Sequence, residues 1–182
     1  MSKKAIQEKA QDFIENNDIL NILQKFGSVT IVGSFAMQIM TWNDLDFYID
    51  LADFNEEAYY NLTAELIQKL KPIRYDGIFN EKNSTYFIGI ETIFEGERWN
   101  IDIWWKTRKE IANYIQFCDN LIHQMKKKPH LRDAVFAIKQ GLIAKKLYGF
   151  DKGRHHYHSN EIYDAVFNRG TLSYDDFIGQ NK

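Results

Sequence analysis

Only one cysteine, Cys118, stands in the 182 residues, so no internal disulfide can form and no oxidising compartment is implied. It lies in a helix-like segment and reads as a small packing residue. Two prolines and ten glycines are too few for long structureless stretches. No apolar run approaches the roughly 18 residues needed to cross a bilayer. The opening MSKKAIQEKAQDF is charged and amphipathic, with no apolar stretch of the secretory kind. A cytoplasmic protein is the expectation. What is present suits a packed core: 45% apolar residues, 15% aromatic and 26% charged.

The net charge of −2 conceals an uneven distribution. From Ile122 to His158 nine Lys or Arg face two Asp, so the remainder of the chain is acidic. Such a division can set a basic surface apart from an acidic site, although charge runs are more often solvated faces.

Residues 3–26 carry Ile6, Phe13, Ile14, Leu20 and Leu23 at helical spacing, predicting two helices broken near Asn16-Asn17, with Gly27 as a stop. SVTIVG is short and β-branched and predicts a strand running into Gly33-Ser34; Phe35 to Met40 predicts one or two helical turns. From Asp44 to Leu51 the period is two. Leu45, Phe47 and Ile49 face one way, and Asp44, Asp46, Tyr48 and Asp50 the other. Asn55 to Leu70 predicts a capped helix ending before Pro72. Strands are expected near 73–79, 84–93 and 98–105, the last two joined by a turn at Glu95-Gly96-Glu97. Helices follow over 108–125, 131–148 and 159–168, then a short tail. The fold class is thus α/β (α+β): a mixed β-sheet core flanked by helices, over 1–106, followed by a C-terminal helical region, 107–182.

On a strand, Asp44 and Asp46 share a face with Cα atoms about 6–7 Å apart. Two such carboxylates repel unless a cation lies between them. Oxygen-only ligands favour Mg²⁺, which keeps waters and is completed by substrate phosphates. A third carboxylate, Asp102, lies between Ile101 and Ile103 in another strand. A strand ending in glycine and opening a helix turns backbone N–H groups toward an anion, Gly33 allows close approach, and Ser34 adds a hydroxyl. A metal–triphosphate site is the combined reading.

An apolar strand, Gly33-Ser34, about ten residues, Asp44-Leu45-Asp46 and a distal Asp102 together resemble the nucleotidyltransferase superfamily of DNA polymerase beta. Its small members include the aminoglycoside and lincosamide nucleotidyltransferases and the minimal nucleotidyltransferases. The match covers residues 28–105. The resemblance implies that Gly33 and Ser34 hold the triphosphate and that Asp44 and Asp46 bind Mg²⁺ (or Mn²⁺). Asp102 would be the third metal ligand or the general base. The chain departs from many relatives before the Asp pair, where Met40-Thr41-Trp42-Asn43 supplies no arginine.

The implied activity is transfer of a nucleoside monophosphate from an NTP to an acceptor hydroxyl, with pyrophosphate released. A small-molecule acceptor is the first expectation. A protein or tRNA acceptor of the toxin–antitoxin type is the second, and a catalytically silent nucleotide- or partner-binding module is a rival of another class. A metal-dependent glycosyltransferase also uses Asp-x-Asp, without Gly-Ser before it. Base selectivity and oligomeric state leave no signature.

Several features have plainer readings. Asp50 is expected at solvent, and Ser34 could cap a helix. Lys126-Lys127-Lys128 suits a helix end. Lys139, Lys145 and Lys146 could line a nucleotide groove. Trp99, Trp104 and Trp105 read as core, with Trp42 the better stacking candidate. Arg154-His155-His156-Tyr157-His158 reads as an exposed loop ahead of a phosphate contact or a metal site.

Overall fold

The computed structural model describes residues 3–149 and 156–181. Two compact units emerge, Met1–Cys118 and Asp119–Lys182.

The first unit is built on a mixed five-stranded sheet. Its strands are β1 (Val29–Val32), β2 (Asp44–Asp50), β3 (Arg74–Asn80), β4 (Thr85–Phe94) and β5 (Glu97–Lys106), in the spatial order β1-β2-β5-β4-β3. β2 and β5 run parallel; every other neighbouring pair is antiparallel. The helices are α1 (Lys3–Asn16), α2 (Ile19–Gln24), α3 (Gly33–Ala36), α4 (Glu56–Leu70) and α5 (Arg108–Lys127).

Local signals account for most boundaries. Asn55 caps α4, its side chain accepting from Ala58 N–H, and the helix closes at Lys71 in a left-handed conformation ahead of Pro72. Glu95 and Gly96, both at positive φ, make the two-residue turn that joins β4 to β5. Alternation along β2 and β5 places Leu45, Phe47, Ile49, Ile101 and Ile103 at 0% exposure. With Trp99, Trp105, Ile88 and Ile90 they pack against Phe13 of α1, Leu23 of α2, and Leu62 and Leu66 of α4. Trp99 and Trp105 are core as expected, while Trp104, on the opposite face, is half-buried.

Two expectations need correction here. The helical turn after β1 begins at Gly33 and ends at Ala36, because Gln38 adopts a left-handed φ of 56° that stops it; Phe35–Met40 is therefore not a helix. Asp50 is buried at 5% exposure rather than solvated. Its carboxylate accepts from Ala52 N–H and from Arg108 Nε, and these partners hold its pKa below the usual carboxylate range.

The second unit contains α6 (Pro129–Ala144), α7 (Ser159–Tyr163), a π-helical turn (Asp164–Asn168) and α8 (Tyr174–Gln180). The expected tail thus holds a helix. Ser173 caps it by accepting from Asp176 N–H, Phe177 is fully buried, and Tyr174 lies so close to Gly141 that a Cβ there would stand 2.4 Å from the ring. Lys139 is buried at 1%, with Nζ donating to Tyr163 Oη at 3.1 Å, so it lines no open groove; Lys145 and Lys146 are exposed. Arg154 and His155 lie outside the described residues. Of their tract, Tyr157 is buried, and both ring nitrogens of His156 are buried without a hydrogen-bond partner among the described residues.

Candidate active site

The parallel register of β2 and β5 sets Asp44 opposite Asn100 and Asp46 opposite Asp102. Paired residues point to the same face, so the three aspartates singled out in the sequence stand together on the side of the sheet away from α1 and α4. Asn100 lies among them. Its amide donates to Asp44 Oδ1 at 2.8 Å and to Asp102 Oδ1 at 3.1 Å, holding two carboxylates that would otherwise repel.

The register extends further. Asp102 faces Gly89 of β4, and Gly89 faces Asp76 of β3, so Asp46, Asp102 and Asp76 lie in one row across four strands, with a glycine between the last two. Asp76 is also ion-paired with Arg74 at 2.5 Å. Burial is the main cause that raises the Asp102 carboxyl to about 7; the charges of Asp44 and Asp76 add to it, and the Asn100 amide opposes it. A carboxyl so placed exchanges its proton near neutrality.

Gly33 and Ser34 complete the arrangement. β1 ends at Val32, opposite Asp46, and the chain turns at once into α3. Gly33 has φ 69°, and a Cβ there would fall 1.9 Å from Asp46 Oδ2. Only glycine combines that backbone with that approach. Ser34 is buried, and among the described residues its Oγ has no hydrogen-bond partner. A buried hydroxyl left unpaired is costly unless a ligand satisfies it.

Asn43 braces the loop before the pair. Its carbonyl accepts from Asn100 N–H, and its amide donates to Glu97 Oε2 and to the Arg98 carbonyl. Lys9 of α1 also reaches Glu97, at 2.5 Å. The segment that lacks an arginine is thus held by an asparagine.

Asn43, Asn100, Gly89 and Asp76 were not singled out in the sequence. Asn100 alone left a signal, two residues before Asp102 on the same strand face. Among the described residues no three His, Cys, Asp or Glu side chains already converge into a metal cage. The oxygen-only donor set, the glycine cradle and the orphaned Ser34 hydroxyl nevertheless fit a hydrated Mg²⁺ completed by phosphate oxygens.

This sheet, with a glycine-serine turn at the head of α3 and aspartates on β2 and β5, shares its fold with solved structures of RNA terminal transferases and polymerases. Three solved structures illustrate the likeness. Cid1 poly(U) polymerase, solved with Mg and 3′-dATP, matches at TM-score 0.62 and 16% identity over 92% of this chain and 50% of its own. A cytoplasmic RNA terminal U-transferase matches at 0.61 and 18%, over 92% and 48%. The non-canonical poly(A) polymerase GLD-2, in complex with GLD-3, matches at 0.63 and 13%, over 94% and 59%. The chain therefore spans about half the length of the proteins it resembles. No family model and no curated protein matches it.

Proposed function

We propose that the protein is a metal-dependent nucleotidyltransferase that moves a nucleoside monophosphate from an NTP to an acceptor hydroxyl. The observation that carries this is the juxtaposition of a glycine-cradled, orphaned Ser34 hydroxyl with three aspartates on adjacent strands. Asp44 and Asp46 would hold Mg²⁺, which supplies charge neutralisation for the triphosphate and the departing pyrophosphate.

The remaining roles fall to the chain's own groups. Gly33 admits the phosphates to the backbone and Ser34 donates its hydroxyl to them. Asn100 fixes the orientation of Asp44 and Asp102. Asp102, poised near 7, takes the proton of the acceptor hydroxyl as its oxygen bonds to the α-phosphorus. The bond to the β-phosphate breaks and pyrophosphate leaves.

For the acceptor, the similar structures favour an RNA 3′ end. Their names describe RNA terminal transferases and poly(U) or poly(A) polymerases, and the small-molecule acceptor gains nothing from them.

Calorimetry with ATP, GTP, CTP and UTP, with and without Mg²⁺, tests the site. Mg²⁺-dependent binding lost in Asp44→Asn/Asp46→Asn is the expected result and names the preferred base. A folded wild type that binds no nucleotide would leave the silent module as the better reading. Incubation with labelled NTP and either RNA or amino sugars then identifies the acceptor.

A further inference from the structure

Beyond Asp46 along β2 the same sheet face changes from acidic to aromatic. Tyr48 is paired with Trp104, and Trp104 with Phe87. The Phe87 and Trp104 rings lie 4.3 Å apart, and Lys106 Nζ sits 5.2 Å from the Trp104 ring. α5 runs past this row and borders an open hollow of about 360 Å³ lined by Tyr48, Lys106, Glu110, Asn113, Tyr114 and Phe117. That volume lies within the ~300–1,000 Å³ typical of small-ligand sites. Tyr48 and Tyr114 stand 5.3 Å apart, and Phe117, 38% exposed, follows at 6.1 Å from Tyr114.

The position of this hollow is informative. β1 is antiparallel to β2 and ends opposite Asp46, so the Gly33-Ser34 turn lies toward the Asp44 end of the carboxylates, whereas Tyr48 lies past the other end. In an in-line displacement the attacking oxygen enters opposite the leaving pyrophosphate. With the triphosphate on the Gly33-Ser34 side, the acceptor comes from the Tyr48 side. Tyr48 is two residues from Asp46, about 6–7 Å along the strand.

The chemistry of the hollow selects the occupant. Lys106 and Glu110 face each other at 3.7 Å and balance in charge, which suits neither a polycationic amino sugar nor a bare phosphate. Three aromatic rings with the Asn113 amide and the Tyr48 hydroxyl suit an uncharged planar heterocycle that stacks and offers hydrogen-bonding edges. We propose that this hollow is the acceptor subsite, and that it stacks the 3′-terminal base of an RNA acceptor so that its ribose hydroxyl reaches Asp102.

The inference rests on the nucleotidyltransferase reading but is tested apart from it. The probe is a short RNA with 2-aminopurine at its 3′ end, and a control carries the fluorophore at the 5′ end. Full-length protein is expected to quench the 3′ probe selectively. Tyr114→Ala should weaken that binding about tenfold, Tyr114→Phe should restore it, and Mg²⁺–NTP affinity should stay within twofold in both. Equal quenching of the two probes, or no response to Tyr114→Ala, overturns the subsite. A Tyr114→Ala protein that binds RNA normally but NTP tenfold more weakly would reassign the hollow to the donor base. Selective 3′ quenching by a protein that binds no NTP would uphold the subsite and remove the transferase reading.

Discussion

The two faces of the sheet are made from alternate residues of the same strands, yet they obey opposite rules. On one face Leu45, Phe47, Ile49, Ile101 and Ile103 are fully excluded from water and covered by α1, α2 and α4. On the other, at the intervening positions, Asp44, Asp46 and Asp102 are half-buried, and burial, with the charges of Asp44 and Asp76 added to it, makes Asp102 hold its proton to about 7. The first face lowers the free energy of the fold. The second raises it and is tolerated because the first is there, a division seen wherever a site is strained for function.

The largest stability effect should come from damaging the covered face. Phe47→Ala removes a ring at 0% exposure and is expected to cost about 3–5 kcal/mol, read by urea unfolding. Asp102→Asn, on the open face, should do the reverse. Turnover should fall by about 10²–10⁴-fold with no loss of stability, since a crowded carboxylate has been neutralised. Retained turnover would remove Asp102 from the proposed chemistry.

A pH series sharpens the contrast. The folded protein keeps the Asp102 proton up to about 7, whereas the unfolded chain releases it near pH 4. The folded state therefore binds more protons between those limits, and the Asp102 contribution to stability declines as pH rises through them, levelling off above about 7. Its slope is at most about 1.4 kcal/mol per pH unit. Subtracting the Asp102→Asn curve from the wild-type curve isolates it; parallel curves would contradict it. Asp50 has the opposite sign. Its lowered pKa gives stability that is complete above the unfolded value near 4 and is lost as pH falls. The smallest effect belongs to the β4–β5 turn, where Gly96→Ala meets no neighbour within 4 Å and costs only the strain of φ 77°, about 1 kcal/mol.

Local signals made much of this legible in the sequence. The period-two pattern of β2, the Asn55 cap and the Glu95-Gly96 turn each depend on neighbours in the chain, and the structure has all three. The Gly33-Ser34 and Asp44-Leu45-Asp46 pairs were visible for the same reason. What escaped depends on strand order. Asp76 enters the acidic row only because β3 pairs with β4 and β4 with β5, which no short window reveals. Asp50 is paired by Arg108, 58 residues away. Lys139 is enclosed by Tyr148 and Tyr163, a setting that its amphipathic helix did not announce. The helix after Ser173 was missed although Ser173-x-x-Asp176 is a readable capping pattern.

The parallel pairing of β2 with β5 also has a consequence for folding kinetics. Asp44 and Asn100 are 56 residues apart in sequence, while β4 and β5 meet across a two-residue turn. The hairpin can close in microseconds, but joining β2 to β5 requires the closure of a long loop containing α4 and β3. Asp102 meets Asp44 and Asp46 only when β2 joins β5, so that share of the carboxylate repulsion is expected to fall on the slower, long-range step and not on the closure of the hairpin.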